Sequence, residues 1–315
     1  MRKLLRVLLI FVLLSSCSTG VIKTITIHSE KDLIPEGIAI SGNNIFISSI
    51  HKNKIIVYDI INQSATDFIS SNQYGFKSGV GLFVKDTLLF ALTNDLNAAQ
   101  NSSSVFVFNI TSRTLVKEIA LKDGQSHFLN DLAISSDNQI FITDSKQHKI
   151  FKLDYANAKM EEYLSGTSIE YPNGITISDD NKILFVASAV NGLRIIDLST
   201  KTYLNNISNA TRGIDGMKYY NGSIYAIRNS DKDPKLHGLY TIKLAKDNSA
   251  IEKTEKTLAG NKLMDVPTTL DVHNGYVYLI SNSQIDNLRQ ETNEIIDTKK
   301  LTDTYILQVK IKSGG

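Results

Sequence analysis

Tryptophan is absent from this chain of 315 residues, proline occurs four times and cysteine once. With Cys17 the single cysteine, no disulfide forms within the chain, and the fold must be held by its core even in an oxidising compartment. An excess of either charge is lacking as well. Lys plus Arg number 34 and Asp plus Glu 32, a formal net of +2, without the basic stripe that would mark nucleic acid as a partner. Beyond residue 17 no apolar run is long enough for a membrane-spanning helix. No segment of useful length carries the helical period, and no residues are arranged as a Ser-His-Asp nucleophile, a phosphate loop or a cysteine metal site. These absences leave a body of about 300 residues, enough for a sizeable core as two domains or as one all-β domain.

What is present begins with a short N-terminal segment. Arg2, Lys3 and Arg6 precede an apolar stretch from Leu4 to Leu14 that is too short to span a bilayer comfortably. It ends in Leu14-Ser-Ser-Cys17, which resembles the lipobox of bacterial lipoproteins. The resemblance implies a signal peptide over residues 1–16, lipidation of Cys17, and a mature domain over 17–315 tethered to a membrane of the cell envelope. Several acyl chains anchor stably where one does not. An uncleaved anchor, or a secretory signal with an incidental cysteine, is the alternative. Processing removes three positive charges and takes the net of +2 to −1.

The body repeats. Six segments align on the residue before a short apolar strand: Glu36, Val80, Asn130, Asn173, Asp215 and Thr268, spaced by about 42 to 53 residues. Each continues through a polar turn such as Asp179-Asp-Asn181 or Asn221-Gly222 into a second strand, as Ile183–Ala187 and Ile224–Ile227. A third, amphipathic strand often ends in Asp or Asn, as in Lys54–Asp59 and Gly192–Asp197, and a more polar fourth precedes the next unit, as at Lys159–Leu164. Four antiparallel strands repeated six times predict an all-β, six-bladed β-propeller. A lone strand at Val21–Ile27 is placed to complete the last blade beside Thr304–Ile311, closing the ring and removing two sheet edges. A two-domain sandwich would not produce this period. Two units carry insertions after their second strands, Asn94–Ser103 and Asn229–His237, expected around the mouth where inner strands begin.

Inner strands line a propeller's axis, so their leading residues form a ring at one end. Four of the six, Glu36, Asn130, Asn173 and Asp215, offer carboxylate or amide oxygen, and none is Lys, Arg or His. Hard oxygen donors with two formal negative charges suit one divalent cation, Ca²⁺ first, whereas Zn²⁺ prefers nitrogen or sulfur. Taken singly, Pro-Glu-Gly, Pro-Asn-Gly and Asp-Gly are also ordinary turn sequences in which Gly supplies positive φ. Their recurrence at one position of different repeats favours the metal, because a ring of acids on a narrow axis is costly without a cation.

Pro35-Glu-Gly, Asn130-Asp131, Pro172-Asn-Gly-Ile-Thr-Ile-Ser-Asp-Asp180 and Asp215-Gly resemble the senescence marker protein/gluconolactonase (regucalcin-like) family, a relative of the paraoxonases and diisopropylfluorophosphatase. The resemblance covers the mature chain at repeat level. It implies Glu36, Asn173 and Asp215 as metal ligands and Asn130 as a fourth member contacting metal or substrate. The implied activity is metal-assisted hydrolysis of a small lactone or related ester by a monomer, with Asp215 as general base or orienting ligand. The sugar-lactonase branch has an arginine two residues before its Asn-Asp pair; this chain has Phe128 there. A less polar ester or lactone is therefore as good a candidate as a sugar-acid lactone. His127 is a further candidate base; His51, Asp95, Asp144 and Arg228, near the ends of second strands, are candidate pocket-lining residues with turn capping or solvated charge as their alternative, and Phe128, at the arginine position, is a further pocket-lining candidate. A metal-plugged propeller that binds a protein or glycan without catalysis is the competing function.

Overall fold

The computed structural model describes residues 21–96, 102–229, 234–289 and 292–312. They form a six-bladed β-propeller of antiparallel sheets. Blade 1 comprises Pro35–Ser41, Asn44–Ser49, Lys54–Asp59 and Ser64–Ile69. Blades 2, 3 and 5 repeat this order from inner strands Ser78–Lys85, Leu129–Ile134 and Ile214–Tyr220. Blade 4 has three paired strands, Pro172–Ile177, Ile183–Ser188 and Gly192–Asp197. Its fourth position is held by a short segment in which Tyr203 bridges to Ile196. There the Leu204 N–H donates to Ile195 O at 2.8 Å.

The sixth blade closes the ring. Its strands run Leu270–His273, Tyr276–Ile280, Thr304–Lys310 and, outermost, Val21–Ile27. The N-terminal strand pairs from Ile27 with Thr304 to Val21 with Val309, so the chain's two ends share one sheet. Turns between first and second strands are tight because Asn138, Asn181, Asn221 and Asn274 take left-handed φ of 48–66°, a conformation Asn tolerates better than most residues.

Strand alternation sends one apolar row of each sheet onto each neighbouring blade, and six apolar clusters result, one between each adjacent pair. Phe46, Phe68, Phe76, Phe106 and Phe108 fill the space between blades 1 and 2, with Phe46 and Phe68 edge to face at 5.1 Å. Ile25, Ile27 and Ile306 of blade 6 pack on Ile38, Ile45 and Ile47 of blade 1, so the ring is closed by core as well as by strand pairing.

The described residues of every insertion lie on the face where inner strands begin, called upper here. Residues 97–101 and 230–233 of the two expected insertions lie outside the described residues. Asn94 and Ser103 belong to strands Leu88–Asn94 and Ser103–Asn109, so the first insertion is shorter than expected. A third insertion, residues 281–303 of blade 6, was not expected. It carries a small hairpin, Leu288–Arg289 with Glu294–Ile295, and reaches across to blade 1, where Asn293 Nδ2 donates to His51 O at 3.0 Å. Leu288 is buried in the apolar cluster that includes Ile34, Ile50 and Val80.

Candidate metal centre on the propeller axis

The ring residues are aimed by a repeated irregularity. In five blades the pairing of inner and second strands shifts register at the same place: Pro35/Ile38, Gly79/Leu82, Leu129/Leu132, Pro172/Ile175 and Ile214/Met217. Such bulges bend the strand and redirect side chains. They also free backbone groups that must be satisfied elsewhere. Ser48 does so in blade 1: its Oγ accepts from Gly37 N at 2.9 Å and donates to Val80 O of blade 2 at 2.6 Å. Thr143 plays the same part in blade 3, accepting from Asp131 N at 3.0 Å and donating to Asn173 O of blade 4 at 2.7 Å.

The glycines that follow Glu36 and Asn173 have extended, not left-handed, backbones. A Cβ on Gly37 would lie 2.0 Å from Val80 O, and one on Gly174 2.3 Å from Asp215 O. Turn chemistry is therefore not their reason. Glycine is needed so that inner strands of neighbouring blades can approach around a narrow axis.

Glu36, Asn130, Asn173 and Asp215 line one axial cavity with Asp131, Thr269, Gly81 and Gly216. Its volume, about 10 Å³, is room for one water or one ion. Val80 and Thr268 are not among its walls. Asn130 donates through Nδ2 to Ser145 Oγ at 3.0 Å, and Ser145 donates in turn to Pro172 O at 2.6 Å, leaving the amide oxygen as Asn130's remaining acceptor. Asn229 donates through Nδ2 to Asp215 Oδ2 at 2.5 Å and to Pro267 O at 2.7 Å. Ser145 and Asn229 carry no motif of their own, since each acts only by being opposite a ring residue.

The electrostatics of this cavity are unbalanced. Glu36 Oε2 is buried with no hydrogen-bond partner. Burial, and then the neighbouring Asp215, push the Glu36 carboxyl well above the usual range. Burial pushes Asp215 up to about 7 against the hydrogen bonds of Asn229 and Asn173, with the charge of Asp131 adding to the rise. Asp131 and, deeper on the axis, Asp271 are also raised by burial. Each is partly compensated, by Lys218 and by backbone N–H groups: Ile175 donates to Asp131 at 3.2 Å and Ile40 to Asp271 at 2.8 Å. Lys218 Nζ lies 5.4 Å from the ring centre of Phe83 on the opposite blade, so it spans the axis below the ring. Among the described residues no three Asp, Glu, His or Cys side chains group as a metal cluster; the ring reaches four oxygen-bearing side chains by including two amides. That donor set, with one orphaned carboxylate oxygen, fits a hard divalent cation.

The other candidates lie elsewhere. His127 is fully buried away from the cavity, with Nδ1 2.5 Å from Asp144 Oδ2 and Nε2 2.7 Å from Asp123 Oδ1. Both ring nitrogens are occupied, so it ties the loop before blade 3 to that blade's second strand. Asp144 Oδ1 also accepts from the Phe128, Lys146 and Gln147 N–H groups, the turn-capping alternative. Phe128 packs against the apolar cluster of blades 2 and 3. His51 Nδ1 is hydrogen-bonded to Asn293 Oδ1 at 3.2 Å, and its Nε2 lies 3.8 Å from Asp32 Oδ2. The Asp95 N–H bonds Ser102 O at 2.8 Å, and the Arg228 guanidinium lies 5.7 Å from the ring centre of Tyr240. None of these six lines the cavity. Cys17 lies outside the described residues.

No protein-family model matches the sequence, and no curated protein matches it. Solved structures do. The major allergen Mala s 1 of Malassezia sympodialis is similar with a TM-score of 0.68 at 16% identity, over 91% of this chain and 96% of that one. The PQQ-bound aldose sugar dehydrogenase of Streptomyces coelicolor gives 0.63 at 14%, over 92% and 97%. A putative gluconolactonase gives 0.59 at 12%, over 89% and 90%. At these identities the likeness concerns the fold. The class these observations define is the six-bladed β-propeller with an acid- and amide-lined axial cavity.

Proposed function

We infer that this protein is a divalent-cation-dependent hydrolase of small lactones or related esters, with Ca²⁺ as the cation. The observation that carries the reading is the unpaired, buried Glu36 Oε2 beside Asp215 in a cavity of oxygen donors. An uncompensated buried carboxylate is costly, and a cation ligated by Glu36, Asp215, Asn130 and Asn173 removes that cost. When bound, the ion supplies Lewis-acid polarisation of a substrate carbonyl. Asp215, oriented by Asn229 and Asn173, is the group placed to take a proton from the attacking water. The fold shared with a putative gluconolactonase is consistent with this activity, and the lack of an arginine at position 128, where Phe128 packs into the apolar cluster, leaves less polar lactones and esters as candidates beside sugar-acid lactones. Lipidated Cys17 would hold the enzyme at a membrane of the bacterial envelope.

One observation favours a second reading. The space between the ring residues, about 10 Å³, is the size of an ion, as expected of a metal plug in a propeller that binds a protein or glycan. Protein beginning at residue 18, assayed against lactones and aryl esters with Ca²⁺ or chelator, separates the two. The hydrolase reading expects chelator-sensitive turnover that Asp215→Asn lowers by about 100-fold or more. Ca²⁺-dependent stabilisation without turnover on any substrate supports the plug.

A further inference from the structure

The strand that closes the ring also determines where a lipid anchor leaves it. Inner strands run from the upper to the lower face, and successive antiparallel strands alternate. In blade 6 the inner strand Leu270–His273 descends, Tyr276–Ile280 rises and Thr304–Lys310 descends. Val21–Ile27 therefore rises, and Val21, opposite Val309, sits at the lower rim. Cys17 is four residues before it. The metal ring is at the opposite end of the axis.

We propose that the acylated Cys17 seats the propeller with its lower face toward the bilayer and its ring mouth toward the aqueous space, so that the ligand reaching Glu36 and Asp215 arrives from solution and not from the lipid. The inference rests on the lipoprotein reading of Cys17, and lengths decide it. Four residue steps reach at most roughly 14 Å. Bringing the upper face to the membrane would require the tether to climb the height of Val21–Ile27, seven residues, roughly 23 Å at about 3.3 Å each. The tether is too short for that pose.

Charge favours the same arrangement. Lys23, Lys243, Lys246, Lys253, Lys310 and Lys312 are exposed along the lower part of blades 5 and 6 nearest the tether. The acids among them are Asp247, Glu252 and Glu255, the last paired with Lys253. Six positive charges against three suit anionic phospholipid headgroups beside the tether; the lower turns of blades 1 to 4 carry Asp59, Asp86, Asp137, Asp154, Asp179, Asp180 and Asp197, so this attraction is confined to blades 5 and 6.

The test uses the full chain, expressed in a bacterium that processes lipoproteins and reconstituted into vesicles of phosphatidylcholine and phosphatidylglycerol doped with a nitroxide-headgroup lipid. Cys17 is the single native cysteine and is blocked once acylated. Lys246→Cys on the lower face and Ile296→Cys on the upper face therefore each accept one fluorophore. Mass analysis of the N-terminal peptide reports acylation independently. With Cys17 acylated, the Lys246→Cys label should be quenched several-fold more than the Ile296→Cys label. Equal quenching, or stronger quenching at the upper site, overturns the orientation while leaving the anchor intact. A peptide without acyl chains overturns both.

Discussion

At the scale of single residues the molecule is most exposed to change at Glu36. Its Oε2 has no partner and its nearest charged neighbour is another buried acid. Glu36→Gln removes a carboxyl that is costly to ionise where it is buried and should stabilise the metal-free protein near neutral pH by on the order of 1–3 kcal/mol. The same substitution should abolish most of the melting-temperature gain produced by Ca²⁺. Thermal melts with Ca²⁺ and with chelator check both, and a variant destabilised in chelator would contradict the orphaned-acid account. Asp215 adds a pH dependence. Its folded pKa is raised from 3.8 to about 7, so between these values the native state holds a proton that the unfolded chain has released. Its contribution to metal-free stability is therefore greatest at acid pH and is lost as pH rises toward about 7. Ca²⁺ competes with that proton, so its stabilising effect should be small near about pH 5 and large near about pH 8. The difference between wild type and Asp215→Asn separates the Asp215–Glu36 pair from other titrating groups, and a Ca²⁺ effect independent of pH would refute it.

At the scale of elements, the insertion at residues 281–303 should open as a unit of its own on the upper face. It is fastened to blade 1 by the Asn293–His51 pair and to the core by Leu288. Leu288→Ala should cost about 2–4 kcal/mol within that unit. Hydrogen exchange should accelerate across 281–303 while the inner strands of blades 3 and 4 keep their protection; uniform acceleration would show that the insertion is not separable. The strands themselves were legible, because Ile-rich alternation broken by Asp/Asn turns reports a pleated, half-buried surface directly. This insertion was not. Insertions were visible as excess spacing to the next repeat, and the last repeat has no successor. The bulges were hidden for a related reason. A register shift at Pro35/Ile38 or Pro172/Ile175 depends on what the neighbouring blade presents, as does the need for Gly37 and Gly174, which read as turn residues. His127 shows the limit from the other side, since its two carboxylate partners lie 4 and 17 residues away and nothing in its own segment announces them.

At the scale of the whole molecule, the site and the closure of the ring are one problem. The axial cavity takes its four ring donors from blades 1, 3, 4 and 5 and further wall from Gly81 of blade 2 and Thr269 of blade 6, so its geometry exists only while every interface holds. Blade 6 is assembled from both ends of the described chain: Val21–Ile27 leads directly into blade 1 and meets Thr304–Lys310 only by strand pairing, so closure depends on that pairing, the Ile40–Asp271 bond and the Thr268 hydroxyl on Glu36 O at 3.3 Å. Removing residues 1–27 would expose the pairing edge of Thr304–Lys310 and uncover Ile306 and Ile38, an invitation to edge-to-edge association. A chain starting at residue 28 should therefore aggregate or unfold at markedly lower temperature than one starting at residue 18, by size-exclusion and circular dichroism. Any monomeric fraction should lose Ca²⁺ stabilisation, because Glu36 is the ring member on the loosened blade while Asn130, Asn173 and Asp215 stay on blades joined to one another. Supplying Val21–Ile27 as a separate peptide should restore both the monomer and the Ca²⁺ response together. Recovery of the monomer without the Ca²⁺ response would show that closure and the metal ring are independent.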